Sequence, residues 1–97
     1  MIDAVFTPET IIAASPDAVS ASLGNEEVLL NLNSGIYFSL NEVGARVWSF
    51  LGEPCSVSSI QKALLEEYDV DAGRCMADLS SLLGDLFQAQ LIQVRNG

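Results

Sequence analysis

Three groups of side chains in this sequence have the types to do chemistry. They are the thiols of Cys55 and Cys75, the hydroxyls of Ser56, Ser58 and Ser59, and the carboxylates of Glu66, Glu67, Asp69 and Asp71. A serine becomes a nucleophile only beside a base. The chain contains no histidine, the side chain that most often serves as general base and metal ligand. The three serines therefore read as helix-start residues. The cysteines form no CxxC pair, and no carboxylate or thiol sits at a ligand-like spacing, so the acids at 66–71 read as a solvated helix end. No glycine-rich phosphate loop is present. The expectation is a chain with no catalysis of its own, no cofactor and no metal.

Charge narrows the partners. Thirteen acids against four bases give a net charge of −9 over 97 residues, and an evenly acidic surface repels phosphate backbones and anionic lipid. Nucleic acid and membrane are therefore not expected as partners. A small sheet with a helix-turn-helix behind it resembles a winged helix in outline, but the long helix sets only Arg74 against Asp78 and Asp85, too few bases for a DNA reader. "MIDAVF" lacks the basic start of a signal peptide, and no apolar run approaches the roughly 18 residues that span a bilayer. Two isolated thiols in a signal-less chain suggest reduced cysteines and a cytoplasmic location.

The elements that must position a site follow from periodicity. With 49% hydrophobic residues, one real core is expected. Residues 1–16, with Pro8 and Pro16, read as an extended N-terminal arm, and 17–94 as the domain. "DAVSASLG" alternates Val19, Ala21 and Leu23 against small polar residues before a Gly24-Asn25 turn. "EVLLNLN" places Val28, Leu30 and Leu32 on one face and Leu29, Asn31 and Asn33 on the other. After Asn33-Ser34-Gly35, a connection suited to a hairpin, Ile36, Phe38 and Leu40 share a face opposite Tyr37 and Ser39. Three helices come next, capped by Asn41, Ser56 and Asp71. The first carries Val43, Val47, Phe50 and Leu51 on its buried stripe. The second carries Val57, Ile60, Leu64 and Tyr68. The third, over about 72–89, has a wide apolar band from Cys75 and Met76 to Leu86 and Phe87. Leu91 and Ile92 return to the core. The fold class is α+β: a three-stranded antiparallel meander followed by three helices, winged-helix-like.

In such a meander the third strand lies at an edge. Soluble proteins blunt exposed edges with lysine, proline or a bulge, and "GIYFSLN" has no lysine or proline. An open edge can be a docking template on which an extended peptide pairs its backbone. It can equally be covered by the N-terminal arm or by a second copy of the chain. One flank of the third helix would then border a groove beside the strand.

The run "LLNLNSGIYFSLNEVGARVWSFL", followed by "SVSSIQKALLEEYDVD" and "DLSSLLGDLFQAQLI", resembles the PqqD-like family, the RiPP precursor peptide recognition elements. The likeness covers about residues 16–94 and is most specific at the junction "GIYFSLNEVGARVW". It implies a non-catalytic module that binds the leader of a ribosomally made precursor peptide as a fourth strand, in a cleft bounded by the third helix. The module then presents the precursor to a modifying enzyme or leader protease. Carried over position by position, the edge is Ile36, Tyr37, Phe38, Ser39 and Leu40, and the facing wall is Cys75, Asp78, Leu79, Leu82 and Leu86. The sequence departs from the pattern at Gln90, where a glycine is usual. A free-standing module with "SGIYFSLN" looks closer to the lasso-peptide leader-binding proteins than to the chaperone of pyrroloquinoline quinone biosynthesis, which stands as an alternative. A second alternative is a small structural or regulatory subunit using the strand only for self-association. A leader binder is expected to be a monomer or weak homodimer.

Overall fold

Each helix begins where a short polar side chain can take over an orphan backbone donor. Asn41 Oδ1 accepts from the Gly44 N–H at 2.9 Å, Ser56 Oγ from Ser59 N–H at 3.2 Å, and Asp71 Oδ2 from Arg74 N–H at 3.0 Å. A computed structural model describes residues 6–96 of the chain. Its elements are β1 (Thr10–Ala14), β2 (Ala18–Leu23), β3 (Glu26–Asn31), β4 (Tyr37–Leu40), α1 (Glu42–Phe50), β5 (Cys55–Ser56), α2 (Val57–Glu67), α3 (Ala72–Gln88) and β6 (Ile92–Asn96). The three helices and the antiparallel meander β2-β3-β4 make the α+β fold expected from periodicity.

The meander buries one face. Leu29 and Leu40 are buried together with Asn31, while Leu32 and Tyr37 on the opposite face are exposed. Gly35 has φ +76° and its N–H donates to the Asn31 carbonyl at 2.8 Å, so the hairpin closes through a left-handed residue at the expected place. Val47 of α1 with Leu51 just past its end, Ile60 and Leu64 of α2, and Leu79 and Leu83 of α3 complete the core beneath that face. Val43, expected on the buried stripe of α1, is 44% exposed. It sits in the first turn of α1, at a cleft beside β4.

A second sheet, ordered β5-β1-β6, departs from the sequence reading. Residues 1–5 of the expected arm lie outside the described residues. Residues 10–14 are extended but they are the central strand of this sheet, pairing antiparallel with β5 on one side and β6 on the other. Ile12 is completely buried. Pairing of β3 with β4 is visible locally in sequence; β1 pairs with residues more than forty positions away, and "TIIAA" has no strict alternation to announce it. The expected return of Leu91 and Ile92 to the core does occur, and both are buried as the chain enters β6.

Candidate functional site

The backbone of β4 sets the site. Asn31 N–H donates to the Ile36 carbonyl at 3.0 Å, and the β3–β4 register pairs Leu30 with Tyr37, Leu29 with Phe38, Val28 with Ser39 and Glu27 with Leu40. Antiparallel pairs alternate between hydrogen-bonded and non-hydrogen-bonded. Counting from Asn31 and Ile36, the backbone groups of Phe38 and Leu40 turn inward to β3, and those of Tyr37 and Ser39 turn outward. On that outer side no described strand pairs with β4, and β1 is engaged elsewhere. The open edge therefore offers the N–H and C=O of Tyr37 and of Ser39. It ends at Asn41, whose carbonyl already accepts from Ala45 N–H at 2.7 Å.

Beside this edge lies a cleft of about 480 Å³ between β4 with the start of α1 and the first half of α3. Its floor is apolar: Leu40, Val47, Leu64 and Leu79 line it and are buried. Gly44 of α1 packs tightly on Leu40, whose side chain a Cβ there would meet at 3.1 Å. Seven of the ten residues expected at a site line the cleft: Phe38, Ser39, Leu40, Cys75, Asp78, Leu79 and Leu82. Three do not. Tyr37 is 71% exposed, and its side chain leaves the sheet on the opposite face; Ile36 precedes the strand and is also exposed. Leu86 is fully buried, one to two turns beyond the cleft in the core.

The family model described as Coenzyme PQQ synthesis protein D (PqqD) matches residues 26–92, most of the chain, from the start of β3 through the three helices. The chain belongs to the PqqD family. Two solved structures share its fold. TbiB1 in complex with the TbiA(beta) leader peptide is 37% identical, with a TM-score of 0.75 over 84% of this chain and 94% of that one. Lasso peptide synthetase B1 complexed with the leader peptide has a TM-score of 0.73 over 84% of this chain and 96% of that one. At 24% identity the second likeness shows the fold alone. A comparison with curated proteins finds no match.

The cleft of this PqqD-family chain also contains residues that sequence reasoning missed: Val43, Val70, Tyr68 and Arg74. Val43 in the first turn of α1 and Val70 in the link between α2 and α3 are exposed valines, and an apolar residue beside the helix caps Asn41 and Asp71 was the available signal. Arg74 brings a positive charge into an acidic protein. It reaches Asp78 at 3.9 Å, but both side chains are largely exposed, so the pair is loose and both groups can turn to a ligand. Opposite charges thus stand at the mouth of a cleft with an apolar floor. Burial, and then the nearby Asp78 carboxylate, pushes the Cys75 thiol above its usual range. A thiol held protonated at neutral pH is a poor nucleophile. Among the described residues, no three His, Cys, Asp or Glu side chains cluster as a metal site, and no helix is long and apolar enough to cross a membrane.

Proposed function

We propose that the chain binds the leader segment of a ribosomally synthesised precursor peptide as an added strand on β4, with alternate leader side chains in the cleft against α3. The observation that carries this reading is the open edge: the outward N–H and C=O groups of Tyr37 and Ser39 stand beside an apolar cleft. Leader residues opposite Phe38 and Leu40 point into the cleft, and those opposite Tyr37 and Ser39 emerge on the far face of the sheet. Pairing with two edge residues supplies up to two donors and two acceptors, about 0.5–1.5 kcal/mol net for each bond. Micromolar binding needs about 8 kcal/mol. Apolar leader side chains, each contributing roughly 1.5–3 kcal/mol on full burial, supply the remainder.

The recognition surface lies within residues 17–94. The module has no reaction of its own and delivers the precursor to a modifying enzyme or leader protease, in a reducing cytoplasmic setting that keeps Cys55 and Cys75 as free thiols. Likeness at 37% identity to a TbiB1–leader complex supports a leader peptide as the ligand, and a lasso-peptide precursor is the type that the likeness of "SGIYFSLN" favours. Isothermal titration with the synthetic leader of the precursor encoded beside this chain should give one-to-one binding, and the core segment alone should not bind. Binding should weaken as salt rises if the leader is basic, because the module carries −9. Equal affinity for leader and core would sink the reading.

A further inference from the structure

One side chain outside the cleft ties its two walls together. Asn31 closes β3 and is 2% exposed. Its Oδ1 accepts from the N–H groups of Asn33 at 2.8 Å and Ser34 at 2.9 Å, which shapes the loop leading into β4. Its Nδ2 donates to the carbonyl of Gln90 at 2.6 Å, across 59 positions of sequence. An amide is the side chain that can accept two backbone donors and serve a carbonyl at once. Aspartate keeps the acceptors without the donor; serine is too short to span both.

The partner is equally unusual. Gln90 stands just past the C-terminus of α3 with φ +61°, the one described non-glycine residue with a positive φ. A side-chain-bearing residue persists in that region only where its surroundings over-determine it. Here Gln90 N–H donates to Phe87 O at 3.0 Å, Leu91 N–H to Leu86 O at 2.9 Å, and Ser15 N–H to Leu91 O at 2.9 Å. The Asn31 amide adds the tie to β3. Leu82, on the cleft wall, lies six residues before Gln88, the last residue of α3, roughly 9 Å along the helix axis. Tyr37, where the open edge begins, lies at the hairpin end that Asn31 shapes. The cleft separates β4 from α3, and the Asn31–Gln90 hydrogen bond joins the neighbouring strand β3 to the chain just past the end of α3.

We propose that Asn31 is a positioning residue: by holding the Gln90 carbonyl it fixes how far α3 stands from β4, and so the width of the cleft. This rests on the reading that the cleft takes a peptide strand. Asn31→Asp preserves the loop acceptors and removes the donation to Gln90. Asn31→Ser is the second variant, should the first fail to fold. Val57→Ala, a buried change in α2 away from the cleft, serves as the control for lost stability. All are compared at a temperature where circular dichroism shows each to be folded.

Two readouts separate this proposal from the peptide-binding reading. The first needs no peptide. Spin labels are placed through Tyr37→Cys and Asp78→Cys, with Cys55→Ser and Cys75→Ser removing the native thiols, and the label–label distance is measured by pulsed electron resonance. The Asn31 variant should broaden or lengthen that distribution, and Val57→Ala should not. The second readout titrates unlabelled proteins with the synthetic leader of the neighbouring precursor. Asn31→Asp should bind at least tenfold more weakly, beyond any loss in Val57→Ala. Unchanged label distances in both Asn31 variants overturn the proposal even if wild type binds leader. A shifted distance in a protein whose wild type ignores the leader upholds the strut and overturns the binding reading.

Discussion

Proline substitution along β4 separates the strand's two edges, and the structure says which substitution does what. Phe38 N–H points to β3, opposite Leu29, whose side chain is completely buried. Phe38→Pro removes that donor and orphans the Leu29 carbonyl, costing about 1–3 kcal/mol, with the loss of the half-buried ring's packing on top. In a domain of this size 1 kcal/mol moves the melting temperature by about 4–8 °C, so Phe38→Pro should lower the transition by about 10 °C or more. Ser39 N–H faces the open side, where proline is tolerated in a sheet. Ser39→Pro should therefore shift melting by less than about 5 °C. It still denies the leader one backbone donor and leaves a leader carbonyl unserved. The expected loss is roughly 1–3 kcal/mol of affinity, about 5- to 150-fold. Differential scanning calorimetry and leader titration on both variants decide the matter. If Phe38→Pro melts no lower than Ser39→Pro, the assignment of inward and outward groups is wrong. If folded Ser39→Pro binds leader like wild type, the peptide does not pair with β4.

Three further outcomes follow from specific contacts. Ile12→Ala, in the centre of the second sheet, should cost about 2–5 kcal/mol in urea unfolding; a loss below about 0.5 kcal/mol would mean that β1 is not part of the cooperative unit. Arg46 holds Glu67 through two hydrogen bonds of 2.8 and 2.7 Å, keeping the Glu67 carboxyl below its usual range. That contribution exists above the unfolded-state pKa and is lost as pH falls through the lower folded-state one. Melting temperatures of wild type and Glu67→Gln should therefore differ at neutral pH and converge on acidification, and a constant gap down to pH 2 would refute the pairing. Cys75 is buried and its thiol raised, so iodoacetamide at neutral pH should modify it far more slowly than in unfolded protein, as read by mass spectrometry of the modified peptide; equal rates would contradict its burial.

Much of this architecture was legible because it is written locally. Asn41, Ser56 and Asp71 each precede an apolar stripe by the spacing a cap requires, and each does cap its helix. The alternation across Leu29 and Asn31, with Gly35 at the turn, contains the meander and makes β4 an edge. The strand's composition, without lysine or proline, already marks that edge as unprotected. Such features depend on neighbours within a few residues, so their physics is complete within a short window of sequence.

What tertiary structure decided are the relations between distant segments. Val43 fits the buried stripe of α1 by periodicity yet lines the cleft, because which turn of a helix is covered depends on where the other helices cross it. Leu86 lies on the same apolar band as Leu82, yet one is core and the other cleft wall, since α3 passes from one environment to the other within a turn. The role of β1 depends on pairing with β5 and β6, whose residues lie beyond the reach of any local pattern. The outward direction of Tyr37 and Ser39 follows from one cross-strand fact, the Asn31–Ile36 hydrogen bond that sets the register of the hairpin. Period-two alternation divides a strand into two sets of residues but does not say which set's backbone faces the neighbouring strand; only the register of that neighbour does.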